Sequence, residues 1–197
     1  GLTSKKYAEV QRAAISRDQA RKAAEVKAGD PLPHESDQTT HFSVVDSAGN
    51  AVSNTYTLNF SYGVGLVAEG TGVLLNNEMD DFSAKTGAQN AYGLVGSDAN
   101  SVAPGARPLS SMTPTFVFRD GKLFLVTGSP GGSRIISTTL QVISNVIDHG
   151  MNIAEAVAAP RIHHQWQPDF LLTETGLSPD TLKLLAAKGQ GVRVGST

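Results

Sequence analysis

The tripeptide Thr39-Thr40-His41 opens a segment with strand-like alternation and directly follows a polar stretch with two prolines, residues 31–38. A threonine at the first residue of a strand is where self-cleaving hydrolases carry their nucleophile. Cleavage before Thr39 would free its α-amine, which can then act as the base for its own hydroxyl. Most threonine pairs at strand starts contribute only β-propensity, so this interpretation needs support from other residues.

A second group of polar side chains ends the next predicted strand. Thr57 and Asn59 are two residues apart, so the period of two places them on one face together with Thr55. That face is either an ordinary solvent-facing sheet surface or a set of hydroxyl and amide groups for a ligand.

Three carboxylates lie within four residues, at Glu78, Asp80 and Asp81. They repel one another unless a cation, a hydrogen-bond donor or water compensates. Calcium is one candidate, although the segment lacks the spaced ligands and the glycine of an EF-hand. The ammonium group of a substrate is another candidate, and a solvated acidic turn is the third interpretation.

Two further segments carry hydrogen-bond donors. Ser110 and Ser111 precede a predicted strand, and their hydroxyls can donate to a carboxylate or serve as turn residues. Gly131 and Gly132 precede a predicted helix, where bare N–H groups bind anions or an oxyanion. A phosphate loop would need a Lys-Ser/Thr pair after the second glycine, which is absent, so the sequence favours an oxyanion hole.

Composition excludes several kinds of chemistry. The 197 residues contain no cysteine, which rules out disulfides, thiolate catalysis and thiolate–metal sites. A net charge of −2 gives no general attraction to nucleic acid, and no apolar run is long enough to span a membrane. His163 and His164 are adjacent and point to opposite sides of a strand, so we expect no metal site and no cofactor. Without an initiator methionine or a signal-like segment, the first residue is expected to be an internal cut.

These groups must be positioned by a mixture of strands and helices. The patterns predict an α+β chain with helices covering a mostly antiparallel sheet. Its predicted elements are a helix from Thr3 or Ser4 to about Val26, strands dominating 39–75, a hairpin at Thr115–Phe118 and Leu123–Val126, helices at 134–148, 153–159 and 179–189, and a strand at 192–194. The first two strands of the 39–75 region are predicted at Phe42–Val45 and Ala51–Leu58, joined by a turn at residues 46–50.

Two segments carry more detailed expectations. In the helix at 134–148, we expect one apolar face, made of Ile136, Leu140, Ile143 and Ile147. The segment 76–112 is rich in Gly, Asn, Asp, Pro and Ser and is predicted to be a long irregular loop, a kind of segment that is usually functional.

Taken together, the motifs resemble the small-subunit region of the γ-glutamyltranspeptidase (γ-glutamyltransferase) family over nearly the whole chain. The stretches that carry the resemblance are Gln38-Thr39-Thr40-His41, Thr55-Tyr56-Thr57-Leu58-Asn59, residues 74–83 around Asn76-Asn77-Glu78-Met79-Asp80-Asp81, Arg107-Pro108-Leu109-Ser110-Ser111-Met112 and Gly128-Ser129-Pro130-Gly131-Gly132-Ser133-Arg134.

The resemblance implies an N-terminal-nucleophile hydrolase with a four-layer αββα sandwich, of which this chain supplies only part. It also implies that the precursor cuts itself between Gln38 and Thr39. The mature enzyme would transfer the γ-glutamyl group of glutathione or another donor to Thr39, and then to water or to an amino-acid or peptide amine. No cofactor is implied.

Residue roles follow from the same resemblance. Thr39 matches the nucleophile, and Thr57 matches the residue that hydrogen-bonds its hydroxyl. Tyr92 matches the covering aromatic of an active-site lid at 86–97. Gly131 and Gly132 match the oxyanion-hole amides, the groups matching the site for the donor's α-ammonium are Asn59, Glu78 and Asp81, and those for its α-carboxylate are Ser110 and Ser111.

The resemblance also divides the chain. Residues 1–38 match the C-terminal tail of a large subunit, and 39–197 match a small subunit that is cut short at its C-terminus. The body of the large subunit is therefore the expected partner, and without it the chain should expose a large apolar face. A periplasmic or extracellular location is implied by the family, because this sequence carries no address of its own.

Three alternatives are also compatible with the sequence. A related acylase of the same fold would hydrolyse a glutaryl-type or cephalosporin side chain, which has no α-ammonium. An uncleaved, catalytically silent chain would keep the bond between Gln38 and Thr39. A calcium-binding module would use Glu78, Asp80 and Asp81.

Overall fold

The structure, a computed structural model, describes residues 5–13, 15–22, 39–85, 87–88, 90, 94–166 and 168–195. Its helices are α1 (Lys5–Ala13), α2 (Ile135–Ile147), α3 (Ile153–Ala158) and α4 (Pro179–Ala187). Its strands are β1 (Thr39–Val45), β2 (Ala51–Thr57), β3 (Thr115–Arg119), β4 (Lys122–Thr127), β5 (Ile162–His163), β6 (Leu171–Thr173) and β7 (Val192–Val194). The mixture confirms the predicted α+β class.

The strands form three small sheets in the described part of the chain. β1 pairs with β2 and β3 pairs with β4, both antiparallel, while β6 lies between an antiparallel β5 and a parallel β7. The two hairpins contact each other through side chains; for example, the Ser53 hydroxyl donates to the Thr127 carbonyl at 3.1 Å. The end of β1–β2 therefore lies beside the glycine-rich segment that follows β4.

Side chains of turn and cap residues fix two boundaries, the β1–β2 turn and the start of α4. The β1–β2 turn is closed by Asp46, whose carboxylate accepts from the backbone N–H groups of Ala48 and Asn50 at 2.9 and 2.8 Å. Ser178 caps α4 by accepting from the Thr181 N–H at 3.1 Å, with a proline at the first helical position. These local bonds confirm the predicted hairpin and helix start.

Two local predictions were wrong. The first helix ends at Ala13 rather than near Val26, and Ser16 then accepts bonds from two backbone N–H groups at 3.1 Å each, the local pairing that competes with a helix. Val26 itself lies outside the described residues. Strands do not continue from residue 58 to 75, where the structure has turns and one isolated bridge, because several glycines there take positive φ.

The predicted apolar face of α2 is largely exposed. Ile136 and Leu140 on this face are 52% and 64% exposed. The buried residues of the helix lie on a neighbouring stripe, which consists of Ile135, Thr139 and Val142. Both stripes have helical spacing, and the buried one contains Thr139, whose hydroxyl bonds to that of Thr113 at 3.3 Å. A threonine with a partner can lie in a core, so α2 has one stripe that packs within this chain and a second, more apolar stripe that stays exposed.

The irregular loop is held in place by one asparagine. The Asn100 side chain donates to the Asp81 carbonyl at 2.7 Å and accepts from the Leu109 N–H at 2.9 Å. Its own carbonyl accepts from the Ser83 N–H at 2.9 Å. The described residues of the loop form two 3₁₀ turns, at Glu78–Asp81 and Asp98–Asn100, and the bonds of Asn100 fix the first of these turns relative to the serine pair.

Large apolar side chains remain exposed on both hairpins. Phe42 and Tyr56 are 47% and 58% exposed on β1 and β2, and Phe118 is 64% exposed on β3. No helix among the described residues is long and apolar enough to cross a membrane.

Candidate active site

One cleft, with a cavity volume of about 90 Å³ and open to solvent, contains most of the predicted site residues. The predicted residues that line it are Thr39, Thr57, Asn59, Glu78, Asp81, Ser110, Ser111 and Gly132. Gly131 lines a neighbouring cavity instead. Gln38 and Tyr92 lie outside the described residues.

Thr39 and Thr57 are cross-strand partners at the open end of the first hairpin. Directly opposed residues on an antiparallel pair project their side chains from the same face at short distance. Both side chains are half-buried, and the Thr57 hydroxyl oxygen accepts a bond from the Asn59 N–H at 2.8 Å. Thr39 at the start of β1 thus lies opposite Thr57, whose hydroxyl is oriented by the bond from the Asn59 N–H.

Asn59 lines the cleft from a turn after β2 and does not lie on the predicted strand face. β2 ends at Thr57, and Asn59 takes a φ of 73° and is 3% exposed. Asparagine tolerates this left-handed conformation better than most residues. Its side-chain amide donates to the Asn77 carbonyl at 3.2 Å, which joins the end of β2 to the start of the acidic turn.

Glu78 and Asp81 form a carboxyl pair in the 3₁₀ turn. Burial raises the pKa of Asp81 to about 7, and the charge of Glu78 together with a hydrogen bond to it adds to the effect. Burial also raises the pKa of Glu78, although the hydrogen bond from Asp81 acts in the opposite direction. Asp81 therefore keeps its proton until the pH rises to about 7, well above the range of an ordinary aspartate. The Oε1 atom of Glu78 is buried and has no hydrogen-bond partner among the described residues.

The serine pair lines the same cleft from a different segment. Ser110 is exposed, and its hydroxyl oxygen accepts from the Met112 N–H at 3.2 Å, which leaves its proton free to donate. Ser111 is half-buried. The cleft thus combines hydroxyl donors with carboxyl acceptors, the combination that a zwitterionic head group needs.

The glycine-rich segment leads from β4 into α2 through a 3₁₀ turn at Gly132–Arg134. Gly131 and Gly132 have φ values of 125° and 55°, which side chains rarely adopt, so glycine is required there. The next residue, Ser133, is buried and donates to the Gln165 side chain at 2.7 Å. Backbone N–H groups at the start of this helical segment are suited to stabilise a negative charge.

Sequence reasoning did not identify the residues that hold these groups together. Asn77 accepts from the side chain of Asn59 through its carbonyl and from the Phe60 N–H through its side chain at 3.0 Å. Asn100 likewise holds the 3₁₀ turn at Glu78–Asp81, because its side-chain amide donates to the Asp81 carbonyl. An asparagine in a loop is ordinary turn chemistry, so the sequence contains no signal that distinguishes these two.

The calcium-binding alternative requires a cluster of side chains that can act as metal ligands. Within the part of the chain that the structure describes, no three His, Cys, Asp or Glu residues are grouped so that they could hold a metal ion. His163 is instead hydrogen-bonded to the hydroxyl of Ser137 at 2.8 Å and to the side chain of Gln165 at 3.0 Å.

Residues 1–197 match the model of the gamma-glutamyltranspeptidase family. The chain is 61% identical over 191 residues to the glutathione hydrolase proenzyme of Escherichia coli K12, covering 97% of this chain and 33% of that protein. The chain thus spans about a third of the length of the curated relatives that it matches first.

Solved structures agree with this result. A mutant gamma-glutamyltranspeptidase from Helicobacter pylori has a TM-score of 0.77 at 58% identity, covering 79% of this chain and 84% of that one. Cephalosporin acylase from Bacillus halodurans also has a TM-score of 0.77, at 25% identity, covering 100% of this chain and 32% of that one. The predicted N-terminal-nucleophile hydrolase fold is therefore confirmed. The chain belongs to the gamma-glutamyltranspeptidase family.

Proposed function

We propose that the chain is the catalytic part of an enzyme that transfers or hydrolyses the γ-glutamyl group of glutathione and related donors through an ester on Thr39. The observation that carries this proposal is the pairing of Thr39 with Thr57 in a cleft that also contains a carboxyl pair and a serine pair. The family match and the Escherichia coli relative, a glutathione hydrolase proenzyme, support the same conclusion.

The first step is self-cleavage between Gln38 and Thr39. The Thr39 hydroxyl adds to the Gln38 carbonyl, the peptide C–N bond breaks, and the nitrogen takes up the hydroxyl proton. The acyl group then lies on the Thr39 oxygen as an ester. Water hydrolyses that ester, which releases the Gln38 carboxylate and leaves Thr39 with a free α-amine and a free hydroxyl.

Turnover repeats this chemistry on a donor. The Thr39 α-amine accepts the hydroxyl proton while the oxygen attacks the γ-carbonyl, and the N–H groups of Gly131 and Gly132 stabilise the resulting oxyanion. Collapse expels the donor's amine, which takes the proton from the α-ammonium. Water or an acceptor amine then attacks the γ-glutamyl ester and restores the threonine.

The donor's head group is a zwitterion, and the cleft offers partners for both charges. We assign its α-ammonium to Asn59, Glu78 and Asp81, and its α-carboxylate to Ser110 and Ser111. The buried Oε1 of Glu78, which has no hydrogen-bond partner in the described part of the chain, supports the first assignment, because a cation would supply the missing donor. The segment 86–97, with Tyr92, is proposed as the lid.

The division of the chain belongs to the same proposal. Residues 1–38 would end a large subunit, and residues 39–197 would be most of a small subunit that pairs with the body of that large subunit. The exposed aromatic side chains of both hairpins support such a partner. Family resemblance also supports a periplasmic or extracellular location, which fractionation of cells producing the precursor would test.

Two measurements test the function. Intact-mass analysis of the incubated precursor is expected to find two fragments that meet between residues 38 and 39, and a single stable species would contradict self-cleavage. Purified protein is then expected to release the amine from a γ-glutamyl anilide much faster than from a glutaryl anilide. A preference for the glutaryl compound would favour the acylase alternative.

The carboxyl pair predicts a pH dependence for ligand binding. Because the pKa of Asp81 is raised to about 7 in the free protein, the pair holds a proton below that pH, and an incoming ammonium must displace it. L-glutamate should therefore bind about fivefold more weakly at pH 6 than at pH 7, with about one proton released per ligand at pH 6 and about half a proton at pH 7.

Calorimetry in two buffers with different ionisation enthalpies counts the released protons. In the Asp81→Asn variant the release should disappear, because the amide does not titrate. Proton release that persists unchanged in that variant would contradict the assignment.

A further inference from the structure

His41 lies against the glycine-rich segment at a point where only glycine fits. A Cβ atom added to Gly128 would lie 2.3 Å from Cε1 and 2.4 Å from Nδ1 of the His41 ring. Separations below about 3 Å do not occur between real Cβ atoms and their neighbours, so the ring and the Gly128 backbone are in direct contact. Gly128 is three residues before Gly131, and His41 is two residues after Thr39 on the same face of β1.

The imidazole ring is held in this position at both of its nitrogen atoms. Nδ1 bonds to the hydroxyl of Thr55 on β2 at 2.8 Å, and Nε2 bonds to the hydroxyl of Ser43 on β1 at 3.1 Å. Burial lowers the pKa of His41, so the ring is neutral at neutral pH. One nitrogen then donates to a hydroxyl and the other accepts from one, an arrangement that two hydroxyls satisfy for either tautomer.

Nothing in the backbone pairing of the described residues sets the distance between Thr39 and the diglycine. β1–β2 and β3–β4 are separate two-stranded sheets, so no ladder of backbone hydrogen bonds connects them. The contacts between the first hairpin and residues 127–128 include the ring of His41 on Gly128 and the bond from the Ser53 hydroxyl to the Thr127 carbonyl. Side-chain contacts thus set how the nucleophile strand lies relative to the oxyanion donors.

We propose that His41 is a positioning residue that sets the diglycine segment against the nucleophile strand by seating its ring on Gly128. This inference rests on the proposed function, because it assigns a purpose to the spacing between Thr39 and the two glycines. The ring takes no proton in the reaction and does not contact the donor. Its effect is on geometry, where a displacement of about 1 Å can cost about 100-fold in rate.

The test is a double-mutant cycle in the self-cleaving precursor, with Gly128→Ala, His41→Ala and the two combined. Gly128→Ala forces its methyl group into the ring, and we expect kcat for a γ-glutamyl anilide to fall about 20-fold or more. His41→Ala removes the support and should lower kcat about tenfold. In the double variant the methyl occupies the space left by the ring, so kcat should lie within about threefold of that of His41→Ala.

Further measurements separate positioning from a general loss of structure. KM should stay within about twofold in all three variants, because the head-group residues lie on other segments. The rate of self-cleavage, measured by intact mass, should follow the same non-additive pattern. Gly191→Ala is the matched control, since a Cβ there meets no atom closer than 3.4 Å and the residue does not need a left-handed conformation.

Each outcome decides the inference. If the two effects multiply, so that kcat of the double variant falls about 200-fold, the inference is overturned. If Gly128→Ala alone does not fold, recovery of soluble, cleaved protein in the double variant supports the contact, and failure of both overturns it. Failure of the proposed function looks different, because the unmodified protein would then not turn over the γ-glutamyl anilide, while the coupling would still be measurable in thermal unfolding.

Discussion

Replacing Thr39 with alanine is expected to abolish both self-cleavage and turnover. The variant keeps the fold but lacks the oxygen that must attack both the Gln38 carbonyl and the donor. It also keeps its amide bond to Gln38, so no free α-amine forms. We expect the intact precursor mass to persist and the release of amine from a γ-glutamyl anilide to fall at least about 1000-fold, as for other removed nucleophiles.

Thr40→Ala is the matched control for this prediction. Thr40 is an adjacent threonine on the same strand, but it projects to the opposite face and is exposed. Its replacement should leave both rates within about twofold. Thr39→Ser keeps a hydroxyl at the same position and should retain cleavage. Cleavage at the same bond in Thr39→Ala would remove Thr39 from its proposed role.

Asp81→Asn has the second largest expected effect, and it acts on donor binding. The substitution keeps the size of the side chain and removes the charge that would face the donor's α-ammonium. Loss of a charge-assisted hydrogen bond of about 1.5–3 kcal/mol corresponds to a KM for the γ-glutamyl anilide that is about 10- to 150-fold higher. Steady-state kinetics on the cleaved protein measures this change.

A glutaryl anilide is the internal control for that variant. It has no α-ammonium, so the amide at position 81 should not weaken its binding. Self-cleavage should also persist, because no donor takes part in it. An equal loss for both anilides would mean that Asp81 supports the structure of the cleft and has no specific part in recognising the ammonium.

Local bonds explain which structural predictions were confirmed. The Asp46 turn and the Ser178 cap are each closed by bonds between residues at most four positions apart, so the sequence contains all of the information needed. Predictions that depended on periodicity alone were less successful. The helix predicted to run to about Val26 ends at Ala13, and the strands predicted to continue to 75 end at Thr57.

The residue types of the candidate site were also available from the sequence. A threonine at a strand start, a carboxyl cluster, two adjacent serines and a diglycine are each recognisable, and their order along the chain matches one family. Asn59 lines the cleft with the other predicted residues, but it was predicted to lie on a strand. Its positive φ instead puts it in the turn that follows β2.

The sequence by itself therefore determined the family, the chemical groups of the site and the elements closed by short-range bonds. Only the tertiary structure brought four separated segments to one cleft, buried Asp81 beside Glu78 so that the pKa of Asp81 is raised, and placed the His41 ring on Gly128. The physical reason is that proximity between distant segments depends on burial and on side-chain contacts such as those of Asn100. Those contacts are formed only when the whole chain packs.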